Sequence, residues 1–269
     1  VTTITIVGVG LIGGSFGLAL KKAGFSGRRI GVSSPSTVEN ALAAGAIDEA
    51  LPFADAVAQA DLIYLAQPIQ QILECLASVD RYARPSALIT DVGSTKAIIC
   101  DRAADAIRRA RFVGGHPMAG KESRGVEAAD ADLFRNRPYV LTAREPALER
   151  WIEAIGARVV FLDPAEHDRL VALVSHLPQL LSTALAGVIA DHPGADQVAG
   201  PAAVDMTRLA LSSYDLWRDI FATNFASIDD ALDAFISKLQ ALRVQLRSPE
   251  MERVFEKAGA AARALRRSR

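Results

Sequence analysis

Hydrophobic and polar positions fall into two textures along the chain, and the change comes near Asp163. Before it, short β-branched apolar runs at 4–7, 30–32, 62–65, 88–92, 112–113, 139–141 and 159–161 are separated by stretches of helical spacing. Strands alternating with helices predict an α/β domain with a parallel, doubly wound sheet. The early runs are apolar throughout rather than at every second position, as expected of strands covered on both faces. After Asp163 the strand pattern stops. Asp163-Pro164-Ala165-Glu166 sets an N-cap acid, a first-turn proline and a third-position glutamate in order, which predicts a helix start. Helical spacing then continues over 165–175, 179–189, 202–211, 216–224, 227–246 and 251–267. The expected domains are therefore 1–163, sheet and helices, and 164–269, all helical.

In the fifth of these helices Ile228, Leu232, Phe235, Ile236, Leu239 and Leu242 form an apolar stripe. Packing inside the monomer and pairing with a partner helix both account for it. From Lys257 onward there are five basic residues and no acidic one, the usual composition of a solvated helix end. The stretch from Leu170 to Ala190 is the most apolar, yet it holds His176, Pro178, Gln179, Ser182 and Thr183. That is too polar for a bilayer span, and it reads as a buried helix pair.

Composition narrows the function classes. In 269 residues, 50% are hydrophobic and 23% charged, and the formal net charge of -1 argues against disorder and bulk nucleic-acid binding. An anionic ligand would have to be met by a few placed cations. Cys75 and Cys100 show neither a disulfide framework nor a metal-ligand spacing, so no metal is expected and a reducing, cytoplasmic compartment is. No secretory leader is visible ahead of the first strand, although an upstream segment could have been trimmed.

Gly8-Val9-Gly10-Leu11-Ile12-Gly13 follows the first strand directly and opens a helix, the context that a dinucleotide fingerprint requires. Gly8 permits the tight turn, Gly10 lets a pyrophosphate approach the backbone, and Gly13 allows close helix-to-strand packing. The helix start at Leu11 and Ile12 offers free N–H groups to the diphosphate. Gln67, Pro68 and Gly93, at later strand ends, complete the expected cofactor contacts. An acid after the second strand would bind the ribose of NAD, and this chain has Ser33-Ser34-Pro35-Ser36-Thr37 there instead. With Arg28 and Arg29 nearby, the segment favours NADP, with NAD as the alternative. Ser33 and Ser34 also suit a plain turn before the next helix.

Two histidines stand in informative contexts. His116, in Gly114-Gly115-His116-Pro117-Met118-Ala119-Gly120, lies at a strand end, held in an extended loop by the following proline. An imidazole there can take a hydroxyl proton near neutral pH. Ser94, in Asp91-Val92-Gly93-Ser94-Thr95-Lys96, can orient that imidazole or cap the next helix. His176 sits in the apolar stretch, where a structural hydrogen bond is the common role. Arg208 can clamp a carboxylate in bidentate fashion or make an ordinary ion pair.

The glycine loop, Asp91 to Lys96, His116-Pro117-Met118-Ala119-Gly120, Ser175-His176-Leu177-Pro178 and Leu216-Trp217-Arg218-Asp219 occur in an order and spacing that resembles the prephenate/arogenate dehydrogenase family. The resemblance covers essentially the whole chain. It implies a Rossmann domain, an all-helical domain interlocked with its twin in a homodimer, and oxidative decarboxylation of prephenate or arogenate in tyrosine biosynthesis. It implies that His116 accepts the ring hydroxyl proton, that Ser94 hydrogen-bonds His116, and that Arg208 binds the ring carboxylate. Glu122 would act as an acidic gate, with His176, Gln179 and Trp217 beside the substrate. Two departures stand out: Gln179 where many relatives have a second histidine, and Ser33 in place of the usual acid. A neutral Gln179 whose amide N–H donates to a keto group favours prephenate over arogenate.

A β-hydroxyacid dehydrogenase shares this layout but generally uses a lysine on a helix of the second domain, where 163–246 offers Lys238 alone. A non-catalytic, dinucleotide-sensing dimer is the other alternative, against which His116, Ser94 and Arg208 all stand.

Overall fold

Strands β1 (Thr3–Val7), β2 (Arg28–Val32), β3 (Glu49–Ala50), β4 (Leu62–Leu65), β5 (Leu88–Asp91) and β6 (Arg111–Val113) lie parallel in the order β3-β2-β1-β4-β5-β6 in the computed structural model, which describes residues 1–121 and 123–267. Between them run α1 (Leu11–Lys22), α2 (Pro35–Ala44), α3 (Phe53–Gln59), α4 (Ile69–Tyr82) and α5 (Ala97–Ala106). Every residue of β1, β4 and β5 is buried, so both sheet faces are covered, as their unbroken apolar runs predict. The order reverses between β1 and β4. In an open α/β sheet that reversal makes a crevice at the carboxyl ends of the strands. With two residues, β3 is too short to leave a periodic signal.

The later strands depart from the single sheet that the sequence pattern predicts. β7 (Gly115–Pro117), β8 (Pro138–Leu141) and β9 (Arg158–Phe161) form a separate three-stranded sheet, antiparallel between β7 and β8 and parallel between β8 and β9. Helix α6 (Pro146–Ala154) makes the crossover. His116 therefore sits in a short strand opposite Val140, not in a loop. The break comes at Gly114, where a Cβ would lie 2.9 Å from Cys100 Sγ and 3.0 Å from the Thr142 side chain. The two sheets share a core: Phe16 stacks on Tyr64 with ring centroids 3.8 Å apart, and the Tyr139 hydroxyl donates to that of Tyr64 at 3.1 Å.

Contacts divide the chain into two compact units, Val1–Leu170 with Leu211–Thr223, and Val171–Ala210 with the chain from Asn224 onward. Helices α7 (Pro164–Val171) and α8 (Leu177–Ala190) are joined by a π-helical turn, Ala172–His176, into one run. The expected pair separated before Pro178 is thus one helix. A proline lacks an N–H and crowds the carbonyl four residues back, and the wider π turn just before Pro178 gives that carbonyl room. By length and composition Pro164–Ala190 could cross a membrane, but His176, Gln179 and Ser182 are buried on it, while Leu173, Val174 and Val188 are exposed.

The remaining helices are α9 (Pro201–Thr207), a 3-10 turn Arg208–Leu211, α10 (Tyr214–Thr223), α11 (Phe225–Gln245) and α12 (Glu250–Arg267). The stripe on α11 is only partly covered within the chain. Ile228 is buried at its start, whereas Ile236 and Leu239 are 43% and 50% exposed, as are Phe255 and Leu265 of α12 at 73% and 67%.

One carboxylate holds the approach to β6. Asp80, buried on α4, accepts the backbone N–H groups of Arg108, Arg109 and Ala110, each at 3.0 Å. Burial pushes the Asp80 carboxyl up, but those N–H donors and the Arg109 guanidinium outweigh it and hold it below the ordinary carboxylate value. Asp80→Ala, which leaves three N–H groups without their acceptor, is expected to cost about 1–3 kcal/mol in urea unfolding at neutral pH. Because the folded value is depressed, this contribution is present above the ordinary aspartate value of about 3.9 and lost as pH falls below it. The gap between wild type and Asp80→Ala should therefore close in acid, and a pH-independent gap would refute the assignment.

Candidate active site

The glycine loop lies at the carboxyl end of β1, beside the reversal in strand order. Gly8 has φ +91°, and a Cβ there would meet the Ala66 carbonyl oxygen at 2.6 Å, so the tight turn demands glycine. A Cβ on Gly13 would lie 2.1 Å from the Gly8 carbonyl oxygen. At Gly10 it would meet nothing within 4 Å, which is the clearance a diphosphate needs at a helix start. Leu11 and Ile12 open α1 and pack partly against the core. Pro68 caps α4 after β4, and the adjacent Gln67 donates to Gln71 Oε1 at 3.3 Å. Gly93 follows β5, its N–H on Asp91 Oδ2 at 2.7 Å. The ends of β1, β4 and β5 are neighbours in the sheet, so these groups converge on a cradle that fits a dinucleotide.

After β2, Ser34 caps α2, with its Oγ 2.9 Å from Thr37 Oγ1 and 3.4 Å from Ser36 Oγ. Ser33, Ser34 and Ser36 are exposed. The two arginines do not join them. Arg29 is 4% exposed, forks onto Asp48, and donates to the Gly17 and Gly45 carbonyls at 2.9 and 3.0 Å. Arg28 pairs with Glu49 at 2.6 Å. Both stand at the amino end of β2, whereas a cofactor lies at the carboxyl end, so the sequence-based place for them beside a 2′-phosphate is corrected.

The turn after β5 is built on Asp91. Its carboxylate, fully buried, ion-pairs with the equally buried Lys96 and accepts Gly93 N–H and, at 3.1 Å, Gly115 N–H. One side chain thereby fixes the turn that carries Ser94 and the start of the strand that carries His116. Ser94 is half-buried, and among the described residues its hydroxyl makes no hydrogen bond. It neither caps α5, which starts at Ala97, nor bonds His116. Asp168 of α7 does the capping, taking Lys96 N–H on Oδ1 at 2.6 Å and Ala97 N–H on Oδ2 at 2.9 Å.

His116 Nδ1 lies 2.8 Å from His167 Nε2, and His167 Nδ1 lies 2.7 Å from Asp168 Oδ1. Sequence reasoning passed over His167 and Asp168, although they follow directly on the recognised helix start at Asp163. An adjacent His-Asp pair in the first turns of that helix was the available signal.

Trp217 of α10, in the same unit, donates Nε1–H to Ser212 Oγ at 2.9 Å and packs on Phe221. Glu122 lies outside the described residues.

In the helical unit His176 is 1% exposed, its Nδ1 3.3 Å from Asn224 Nδ2. That contact braces the π turn, in keeping with the structural hydrogen bond its apolar sequence context suggests. The buried Gln179 directs Nε2–H to the Leu209 carbonyl at 2.9 Å and to Thr183 Oγ1 at 3.3 Å. Its donors are spent on the protein, so the expected donation to a substrate keto group is not what this geometry provides. Ser182 Oγ accepts Ala210 N–H at 3.0 Å. Gln179 and Ser182 together pin the 3-10 turn that begins at Arg208, whose side chain is exposed.

Two family models match the chain: prephenate dehydrogenase, nucleotide-binding domain, over residues 16–161, and prephenate dehydrogenase, dimerization domain, over residues 163–259. The chain is 35% identical over 264 residues to a prephenate dehydrogenase of Lactococcus lactis, covering 94% of this chain and 74% of that protein. Prephenate dehydrogenase from A. aeolicus, solved in complex with hydroxyphenyl propionate and NAD+, matches with a TM-score of 0.90 at 29% identity over 98% of both chains. Synechocystis arogenate dehydrogenase matches at 0.86 and 30% identity, over 98% of this chain and 99% of that one.

The glycine geometry separates folding from ligand binding. Gly13→Ala forces a clash with backbone and should lower stability by about 1–3 kcal/mol, read from denaturant unfolding. Gly10→Ala has room, so it should unfold within about 0.5 kcal/mol of wild type while losing dinucleotide affinity in a fluorescence titration. Undiminished affinity in Gly10→Ala would remove the loop from the cofactor site.

Proposed function

The chain belongs to the prephenate dehydrogenase family, and from that premise we propose that it catalyses NAD(P)-dependent oxidative decarboxylation of prephenate to 4-hydroxyphenylpyruvate, and of arogenate to tyrosine. The observation that carries this reading is the placement of His116 on β7, tied by Asp91 to the Gly93–Ser94 turn at the carboxyl end of the parallel sheet.

On this reading His116 Nε2 takes the proton of the substrate ring hydroxyl as the carbon beneath it loses hydride. The bound dinucleotide supplies the hydride acceptor. The electron pair of the bond to the ring carboxylate then flows into the ring, CO2 leaves, and the phenolate oxygen takes the proton back from His116. The proton thus needs a base that both accepts and returns it, which suits an imidazole near neutral pH. Arg208 meets the ring carboxylate, with Gln179 and Ser182 holding its turn rather than touching substrate. The partnerless hydroxyl of Ser94 and the indole of Trp217 line the reacting end. We assign Glu122 as the gate that the family resemblance implies. With both Gln179 donors engaged on the protein, its amide does not select the keto group of prephenate over the ammonium of arogenate, which supports both substrates.

Residues 1–163 serve as the nucleotide-binding domain and 164–269 as the helical substrate-binding and dimerisation domain. A homodimer is supported by the uncovered apolar faces of α11 and α12. A cytoplasmic place agrees with two free thiols, both pushed up to about 11, chiefly by burial. The β-hydroxyacid alternative finds no support in Lys238, which is exposed on α11.

His116→Asn should lower kcat by about 10²-fold or more with cofactor affinity unchanged, and near wild-type turnover of prephenate would overturn the reading. For the cofactor, we propose NADP over NAD, because the exposed hydroxyls of Ser33, Ser34 and Ser36 and the half-buried one of Thr37 follow the end of β2, and the segment 33–37 carries no carboxylate to oppose a 2′-phosphate. Ser33→Asp is expected to reverse the ratio of kcat/KM between the two cofactors. A wild-type enzyme that works as well with NAD would contradict this preference.

A further inference from the structure

His167 is fully buried and Asp168 is 3% exposed, yet neither has a part in the chemistry derived so far. Buried polar side chains are costly unless they are paired, so a His-Asp pair kept dry against the proposed base calls for a role. The direction of each hydrogen bond follows from its neighbour. Both Asp168 oxygens receive backbone N–H groups, from Lys96 and Ala97, so the carboxyl acts as an acceptor. Its contact with His167 Nδ1 at 2.7 Å then requires the proton to be on that nitrogen. A neutral imidazole with Nδ1 protonated has its lone pair on Nε2. That lone pair, 2.8 Å from His116 Nδ1, requires a donor there in turn, which leaves the lone pair of His116 on Nε2.

We infer that His167 and Asp168 are positioning residues for the proton transfer, fixing His116 as the tautomer with a basic Nε2 and stabilising the imidazolium formed when it takes the substrate proton. This deepens the proposed function and rests on His116 being the base. The logic is that of a carboxylate orienting an imidazole in a hydrolase triad, with a second imidazole interposed. Water does not compete, since the pair is buried. The chain of contacts is also anchored at its far end: the Asp168 oxygens hold the first N–H groups of α5, directly after the turn that Asp91 ties to β7. Among the described residues, the other ionisable groups around the relay are the Asp91–Lys96 pair and the Cys100 thiol. Nδ1 of His116 is the nitrogen an orienting serine would use, which explains why Ser94 makes no bond to it.

Two measurements on the full-length protein test this. With [¹⁵N]histidine labelling only four histidines contribute, and both His116 and His167 should show a protonated Nδ1 and an unprotonated Nε2. A protonated Nε2 on resting His116 would overturn the relay. In the second, Asp168→Asn can keep an oxygen toward Lys96 N–H and His167 Nδ1 but removes the negative charge that stabilises the imidazolium. Its kcat should fall by about 10²-fold or more, with KM for prephenate and cofactor affinity changed far less. The acid limb of its kcat/KM profile should also move to lower pH, because the carboxylate that favours imidazolium is gone; a support acting only on folding would lower the plateau without moving the limb. His167 variants guard against misfolding: His167→Gln keeps an acceptor for His116 Nδ1 and should retain more activity than His167→Leu at equal thermal stability. Equal activity of those two, or wild-type kcat in Asp168→Asn, would refute the relay while an inactive His116→Asn leaves the base assignment standing. An active His116→Asn would bring down both.

Discussion

The buried Asp91 carboxylate is the constraint on which the site depends. It sits at the last position of a central strand, wholly out of water, and a lone charge there would be untenable. Lys96 neutralises it, and the Gly93 and Gly115 N–H groups donate to its two oxygens. Removing one partner of such a pair typically costs about 3–5 kcal/mol, because the other charge is stranded. The same bonds do geometric work. They close the turn after β5, start α5, and hold the chain where it leaves one sheet and enters the next, so His116 inherits its position from a residue 25 places earlier in the chain.

Around that anchor the first unit stacks two independent supports. The Tyr64–Tyr139 contact ties the small sheet to the large one from below, and Asp168 ties α7 to the start of α5. The helical unit repeats the pattern with neutral groups: Gln179 and Ser182 satisfy a carbonyl and an N–H of a tight turn that ordinary helix bonding leaves open. There a side chain on a long helix completes the backbone of a short irregular segment, the one that begins at Arg208.

What the sequence made legible was local. The requirements of Gly8 and Gly13 are set by atoms of the loop and the adjoining strand, and the helix start at Asp163 by three consecutive residues. The doubly wound sheet was readable because its strands are buried on both faces and separated by helices. What was hidden depended on partners far along the chain. His167 meets His116 across 51 positions, and Gln179 meets Leu209 across 30, so neither contact leaves a spacing to read. Arg28 and Arg29 misled for a different reason. Nearness in sequence to the Ser33–Ser34 turn hid the length of β2, which puts its first residues at the wrong end of the sheet, where Asp48 and Glu49 claim them. Pro178 read as a helix break because the π turn that accommodates it has no compositional mark.

The uncovered faces of α11 and α12 bear on more than the contact they offer. Phe225, Leu239, Val244, Phe255 and Leu265 would stand in water in an isolated protomer. With a homodimer as proposed, burying them couples folding to assembly through mass action, so the protomer has no single stability independent of its concentration. Dilution then acts as a denaturant, and the abundance of the protein in its cell becomes one of the terms that keep it folded.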